Sequence, residues 1–438
     1  MQTKHFLAPA SIIFAISCTN NQKAGETVIT TWQNNKSAAV SLTFDDGSPN
    51  QFSQALPILN KLNIPATFYI ITGEVAGSSY QGKFTGRSVA DIIKGTADTL
   101  TNNDNFFERA SAIPFLGYKG TLAYHTQAGA LYEQGKPGEA YHLIDSAYKQ
   151  VRNRKLKPAD SPNEEKKHLT WQAVKEYAAQ GHEFGSHTIT HPRLAILTEP
   201  NLLYELEKSK EEILKQLGES HTFSAECPYG TEDERVMSYA YKIYPALRNR
   251  MPEKFLKEIN RSGDIQPGSL NNEYVQWQRG ATTKTPLPLM KSWVDTVAAH
   301  KNIWLVLVFH GVDGVGWEAL PHEMLEEYFN YLKQHEERLW IATFSDVTKY
   351  MRERMNATVK WNKTDNIVKV DLTHSLDKSM YNIPLTLRTY VPADWKQVQV
   401  KQGDKIQTVF PGMSDKGTFV LYQLQPNRGT AELSGGEF

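Results

Sequence analysis

The stretch that most constrains this chain is an apolar run, Ala38 to Leu42, leading into Thr43-Phe44-Asp45-Asp46-Gly47. It reads as a buried strand that ends in two carboxylates at a glycine turn, the place where barrel folds carry their chemistry. Alone, an Asp-Gly pair after a strand is an ordinary turn. Its meaning changes further along. His187 and His191 stand four apart in Ser186-His187-Thr188-Ile189-Thr190-His191, again just after an apolar stretch, and His310 follows the strand-like Ile303 to Phe309. Carboxylates and imidazoles that each end a strand make a candidate site.

The pattern around these residues alternates. Phe52, Ala55, Leu56, Leu59 and Leu62 form a helical stripe over Asn50 to Leu62, and Ala66 to Ile71 is a second strand, rich in β-branched and aromatic residues. So compact a strand, helix and strand imply a parallel pair with a right-handed crossover. Between 72 and 168 the rhythm breaks into helical pieces, Ser88 to Leu100 and Gly138 to Arg152, which read as a mostly helical insertion. His125 within it has no spaced partner and is expected to be an ordinary polar residue. The alternation resumes with Thr170 capping a helix Trp171 to Gln180, a short strand His182 to Ser186, and a helix from Pro200 to Leu217. Phe223 to Gly230 reads as a strand turning into a loop, followed by a helix Glu232 to Tyr244. Pro252 to Leu287 gives no assignable element. Helix Leu289 to His300, strand Ile303 to Phe309, helix Glu323 to His335, strand Trp340 to Thr343 and helix Asp346 to Met355 complete an α/β barrel over 31–355. From 356 to 438 short alternating strands without a long helix predict a small all-β, sandwich-like domain.

With 438 residues two domains are expected, and a formal net charge of +0 gives no global pull toward nucleic acid. Two cysteines, Cys18 and Cys227, are too few for a disulfide framework. Lys4 and His5 precede an apolar segment, Phe6 to Ile16, closed by small residues, which reads as a signal peptide over 1–17. Ala15-Ile16-Ser17-Cys18 resembles a bacterial lipobox. That resemblance implies lipidation of Cys18, attachment to a membrane through the lipid, and an extracytoplasmic location, with 18–30 as a polar tether; the alternative is ordinary secretion, to the periplasm or beyond, with a chance cysteine.

One carboxylate with two imidazoles suits catalytic zinc. The zinc-peptidase form of His-x-x-x-His carries Glu after the first histidine, whereas Thr188 stands here, so that reading is excluded. Two histidines and a carboxylate also form the facial triad of non-haem iron oxygenases; the α/β alternation and the adjacent second aspartate argue against it.

Assembled, these residues resemble the polysaccharide deacetylases of carbohydrate esterase family 4, the NodB-homology domain. The family's Thr-Phe-Asp-Asp-Gly stands at Thr43 to Gly47 and its His-Ser/Thr-x-x-His at His187 to His191. Ala66-Thr67-Phe68, Pro228-Tyr229-Gly230 and Leu307-Val308-Phe309-His310 match its second strand, third motif and late histidine motif. The resemblance implies a distorted (β/α) barrel and a zinc-dependent hydrolase acting on an acetylated glycan. It implies Asp46, His187 and His191 as metal ligands, Asp45 as the general base acting on water, the Tyr229 N–H as oxyanion donor and His310 as the acid for the leaving amine.

Two departures matter. The family has an arginine, orienting the base, where this chain has Glu226. Either Glu226 faces Asp45, or it points away and Arg248, Arg250 or Arg279 holds the base; the second picture is preferred because it gives the base a positive partner. The aspartate and tryptophan that tune the late histidine are not recognisable, with Trp277, Trp293 and Asp295 as loose candidates. An N-deacetylase is the leading expectation. A carbohydrate O-acetyl esterase and a catalytically weakened glycan-binding lipoprotein are the alternatives.

Overall fold

A computed structural model describes residues 23–159, 168–231, 233–249, 259–260, 275–300 and 303–436. Cys18 and the expected signal segment lie outside these residues, as do Arg250 and Glu232. The chain forms two compact units. One comprises Thr31–Asn356 with Ser375–Ile383, the other the residues up to Thr30, Ala357–His374 and those from Pro384 onward. No helix among the described residues is long and apolar enough to cross a membrane.

The strand β1 (Thr27–Ile29) belongs to the second unit. The first unit is built on β2 (Ala38–Phe44), β3 (Thr67–Ile70), β4 (Glu183–Ser186), β5 (Ser224–Ala225), β6 (Ala246–Leu247), β7 (Ile259–Asn260), β8 (Val275–Gly280), β9 (Ile303–Phe309) and β10 (Leu339–Ile341). Their order is β6-β5-β4-β3-β2-β9-β8-β7, with β10 on the first half of β2 and β3 on its last two residues. Every described pairing is parallel, so all strands end on one side, and the sheet is the expected distorted barrel.

Strand alternation sorts β2 into two faces. Val40, Leu42 and Phe44 enter the apolar core beneath α1 (Leu56–Leu62) and the other outer helices, where Phe44 packs on Phe68 and Phe309 with ring centroids 5.1 and 5.2 Å apart. Burying each such side chain is worth about 1.5–3 kcal/mol. The opposite face carries Ser41, Thr43 and Asp45, all buried. This inner face is largely polar, with Val306 and Val308 of β9 among its polar neighbours. Glu183 accepts from Thr67 Oγ1 at 2.8 Å and from Ser224 Oγ at 2.5 Å, and it also binds Ser345. A polar inner face explains why β8 escaped the sequence pattern within Pro252 to Leu287. Gln276 and Gln278 occupy its inward positions and break the apolar run that marks a barrel strand.

The stripe over Asn50 to Leu62 is a π-helical turn, Gln51–Ala55, followed by α1. The insertion supplies α2 (Val89–Gly95), α3 (Phe106–Ala112), α4 (Thr121–Glu133) and α5 (Pro137–Arg152), packed on their own core of Phe106, Ile113, Ile144 and Tyr148. His125 is fully buried; its Nδ1 donates to the Ala110 carbonyl at 3.0 Å and its Nε2 accepts the Arg193 N–H at 3.0 Å. Burial pushes this imidazole down to about 4, so it stays neutral near pH 7 and serves as structure. Next come α6 (Trp171–Ala179), capped by Thr170 as expected, α7 (Glu199–Leu217), and α8 (Glu234–Ile243). The last starts after its cap, Asp233, rather than at Glu232. The outer helices α9 (Leu287–Ala299), α10 (His322–Gln334) and α11 (Phe344–Asn356) follow.

The second unit is the expected sandwich. One antiparallel sheet joins β11 (Thr358–Thr364), β12 (Ile367–Thr373), β14 (Gln397–Gln402), β15 (Lys405–Val409) and β18 (Ala431–Gly436). The other joins β1, β13 (Leu385–Tyr390), β16 (Gly412–Ser414) and β17 (Gly417–Leu424). Buried Val368, Val370, Val398 and Val400 come from the first sheet, Leu385, Leu387 and Val420 from the second. Two boundaries differ from expectation. Thr27–Ile29, read as part of a tether, pairs antiparallel with Leu387–Thr389, because β-branched Thr27, Val28 and Ile29 suit a sheet edge. Residues 375–383 return to the barrel unit, where Arg352 Nη1 donates to Tyr381 OH at 2.9 Å and Glu353 accepts the Ile383 N–H at 2.9 Å.

Candidate active site

The parallel ladder brings the strand ends together in one cleft of about 660 Å³. Asp45 and Asp46 follow β2, His187 follows β4, Glu226 follows β5, Arg248 and Asn249 follow β6, and His310 follows β9. All the barrel residues singled out as catalytic or metal-binding are here, and Tyr229 with them.

Asp46, His187 and His191 converge. Asp46 Oδ1 lies 3.5 Å from His187 Nε2 and 3.4 Å from His191 Nε2, and the two imidazole nitrogens are 3.1 Å apart. His187 Nδ1 faces the Glu226 carbonyl at 2.8 Å. A carbonyl only accepts, so Nδ1 carries a hydrogen, and in the neutral imidazole Nε2 presents its lone pair to the cleft. Burial, followed by the charge of His187, pushes the His191 imidazole down to about 3, leaving it neutral. Burial also opposes charge on His187, but Asp46 and Asp45 outweigh it and raise that group. Two nitrogen lone pairs and one carboxylate oxygen aimed at a common point are a donor set that fits a divalent cation with open positions.

The backbone here is strained. Asp46, Thr188, His191 and Tyr229 hold φ of 73, 67, 56 and 60°, a region that side-chain-bearing residues rarely enter. Buried Glu205 of α7 fixes the histidine loop. Its carboxylate accepts the Ile189 and Thr190 N–H groups at 2.8 and 2.9 Å and Thr190 Oγ1 at 2.7 Å. Gly73 presses on the same loop, where a Cβ would stand 2.4 Å from the Ile189 oxygen. Gln51, turned inward by the π-helical turn, donates to the backbone carbonyls of Asp45 at 2.5 Å and His310 at 2.7 Å, pinning two strand ends together. Neither Glu205 nor Gln51 was singled out from the sequence. Each sits in a helical pattern, and only its burial marks it.

Asp45 is held by Arg248. Nη1 donates to Oδ1 at 2.7 Å and Nη2 to Oδ2 at 2.6 Å, a two-pronged pair with both side chains buried. Burial alone would raise this carboxyl; Arg248, His310 and His187 outweigh it and bring it to about 2, so Asp45 is ionised. Nη1 also donates to Thr43 Oγ1 at 2.8 Å. Glu226 lies 3.1 Å from Nη2, buried, with the Asn249 amide donating to it, and Gln278 supports Asn249 at 3.2 Å. The preferred picture therefore holds in one half: an arginine at the end of another strand holds Asp45. Its other half is corrected, because Glu226 does not point away but flanks the same guanidinium. Arg279 is excluded, since it stacks on Trp277 at 4.1 Å and donates to the Gln278 carbonyl.

His310 Nε2 lies 3.5 Å from Asp45 Oδ2, and the exposed Trp317 packs edge-on to it at 4.6 Å. Its buried Nδ1 has no partner among the described residues. Burial lowers the imidazole despite the pull of Asp45. None of the loose candidates for tuning it serves. Trp277 and Trp293 lie in the core between sheet and outer helices, and Asp295 binds Tyr331 OH at 2.6 Å. Sequence proximity to an apolar run could not show which face those residues take.

Residues 33–98 and 145–246 match the family model described as polysaccharide deacetylase. The gap between the matched segments contains α3 and α4. A gellan lyase from a Bacillus species is 22% identical over 275 residues, 58% of this chain but 11% of that protein, so the chain spans only a small part of its relative. Similar solved structures include the Xyl-CE4 domain of a multidomain xylanase from the hindgut metagenome of Trinervitermes trinervoides. It shows 13% identity over 72% of this chain and 90% of that one, with a TM-score of 0.33. PdaA of Bacillus subtilis, a family 4 carbohydrate esterase, gives 14%, 76%, 86% and 0.32.

Removing Arg248 should leave two buried carboxylates unbalanced. Arg248→Met is expected to cost about 3–5 kcal/mol in denaturant unfolding. Arg248→Met/Glu226→Gln should be more stable than that single variant, because one of the stranded charges has gone. Additive losses in the pair would show that Glu226 and Arg248 are not coupled.

Proposed function

The barrel belongs to the polysaccharide deacetylase family, and from that premise we propose a divalent-metal-dependent hydrolase that removes acetyl groups from the nitrogen of an amino-sugar glycan. The observation that carries this reading is the convergence in one cleft of Asp46, His187 and His191 beside an ionised Asp45 and His310. Asp46, His187 and His191 would hold the cation, Zn²⁺ by its nitrogen-rich donor set. When bound, such a cation supplies acidified water and a polarised acetyl carbonyl.

The chain's own residues do the rest. A carboxylate held near 2 is a weak base, so Asp45 suits water that is already acidified. It accepts the proton as the water oxygen bonds to the acetyl carbon. The Tyr229 N–H donates to the resulting oxyanion. The C–N bond then breaks, and the proton reaches the leaving nitrogen through His310, 3.5 Å from Asp45 Oδ2. Acetate and a free amine are the products. Arg248 keeps Asp45 oriented and ionised, which supports hydrolysis over a binding-only protein whose base had lost its arginine.

The purified protein should carry about one divalent ion per barrel and release acetate from at least one member of a panel of N-acetylated glycans. His187→Ala should lose both metal and acetate release while the fold persists. Full metal occupancy in that variant would sink the ligand assignment, and release from O-acetylated glycans alone would favour the esterase alternative.

Location is part of the same reading. A lipid on Cys18 would hold the enzyme at a membrane surface outside the cytoplasm. In a bacterial host the unsubstituted protein should label with fatty acid and Cys18→Ser should not; equal labelling of the two contradicts the anchor.

A further inference from the structure

The helical insertion reaches the cleft through one face of α4. His125, Gly129 and Glu133 recur at four-residue intervals, one above the other on a helix, and all three meet Arg193. His125 accepts the Arg193 N–H. At Gly129 a Cβ would stand 2.6 Å from Arg193 Cβ and Cγ, so the absence of a side chain lets the arginine pass. Glu133 Oε2 takes Arg193 Nη1 at 2.6 Å. The other oxygen of the same carboxylate, Oε1, accepts Thr231 Oγ1 at 2.9 Å.

Arg193 and Thr231 bracket Tyr229. The guanidinium carbon of Arg193 lies 4.0 Å over the Tyr229 ring, and Thr231, buried, closes the turn through its N–H to the Pro228 carbonyl at 3.3 Å, while its single hydroxyl hydrogen is shared between Glu133 and that carbonyl, 3.1 Å away. Tyr229 itself stands at φ 60°, its ring 4.6 Å from that of His191. The Gly230 and Thr231 N–H groups have backbone acceptors, whereas the Tyr229 N–H has none among the described residues. A strained residue with an open N–H at the lip of a cleft keeps its aim only if its neighbours are fixed. Here both neighbours are fixed by one carboxylate.

We infer that Glu133 is a positioning residue of this active site: its carboxylate spans Arg193 and Thr231, locks Tyr229 between them, and so fixes the Tyr229 N–H as a donor to the substrate. That the substrate group is the oxyanion of an acetyl carbonyl rests on the deacetylase reading. The insertion is then a working part of the cleft, because α4, from the gap in the family match, supplies the strut. Glu133 acts without touching substrate, through Arg193 and Thr231.

Hydrogen exchange over residues 226–235 and steady-state kinetics test this together. In Glu133→Ala the Gly230 and Thr231 amides should exchange about tenfold faster. Its kcat should fall about 10- to 100-fold, with KM and bound metal close to the unsubstituted values, as expected when a donor serves only the transition state. Glu133→Gln keeps an acceptor for Thr231 but loses the ion pair, and should fall between. Thr231→Val removes the hydroxyl that Glu133 and the Pro228 carbonyl share and leaves Arg193 paired; it should loosen the same amides, and combined with Glu133→Ala it should loosen them no further than the larger single effect. Glu139→Gln, on exposed α5 surface, should change neither readout. Amides that exchange at the unsubstituted rate in Glu133→Ala, or an unchanged kcat there, overturn the proposal. Loosened amides in a protein whose unsubstituted form releases no acetate would support the strut and sink the deacetylase reading.

Discussion

The site depends on one buried cation. Arg248 is enclosed by Asp45 on two nitrogens and by Glu226 on one, and none of the three side chains has more than a trace of exposure. Charges taken out of water are tolerated only when paired and hydrogen-bonded with good geometry. That requirement reaches outward. The Arg248 carbonyl is held by Gln276 Nε2 at 2.7 Å, its N–H donates to the Ala225 carbonyl at 3.1 Å, and its guanidinium lies over the Tyr69 ring at 5.3 Å. Strand register, the inner face of β8 and the carboxylate of Asp45 are therefore set by the same group.

A second constraint is the division of the sheet into an apolar outer face and a polar inner one. The outer face binds helices and stabilises the barrel by burial. The inner face is filled with hydrogen-bonded side chains running from Glu183 through Ser224 and Tyr69, whose hydroxyl reaches Ser224 Oγ at 3.3 Å, toward Arg248. A hydrogen-bonded polar network restricts the interior to few arrangements, and a single broken member costs more than its own bond. The strained turns at Asp46, Thr188, His191 and Tyr229 persist because groups such as Glu205 leave them no looser alternative.

Much of this was legible in the sequence. Thr43 to Gly47 and His187 to His191 fixed the ends of β2 and β4, because apolar runs stop where the chemistry starts. The insertion and the sandwich also followed from changes of rhythm. What stayed hidden was tertiary. Arg248 directly follows a two-residue strand too short to leave a pattern, and only the β5–β6 register brings it to the place expected of residue 226. β8 was lost because a strand facing a polar lumen alternates glutamine with tryptophan. Gln51, Glu133 and Glu205 look like helix surface in the sequence, and no local signal says that the opposite side of each helix faces a cleft loop or a strand end.

The central claim is that the base needs an arginine beside it and that the strand supplying it is interchangeable. The direct measurement is the rate of acetate release, on the acetylated glycan that the unsubstituted protein hydrolyses fastest, for Arg248→Gln and for Arg248→Gln/Glu226→Arg. The first should lose most of its turnover, about 100-fold or more if orientation of Asp45 is lost. The second, with the cation returned to the end of β5, should recover to within about tenfold of the unsubstituted rate. A double variant no faster than the single one, or a single variant as fast as the unsubstituted protein, would contradict the account.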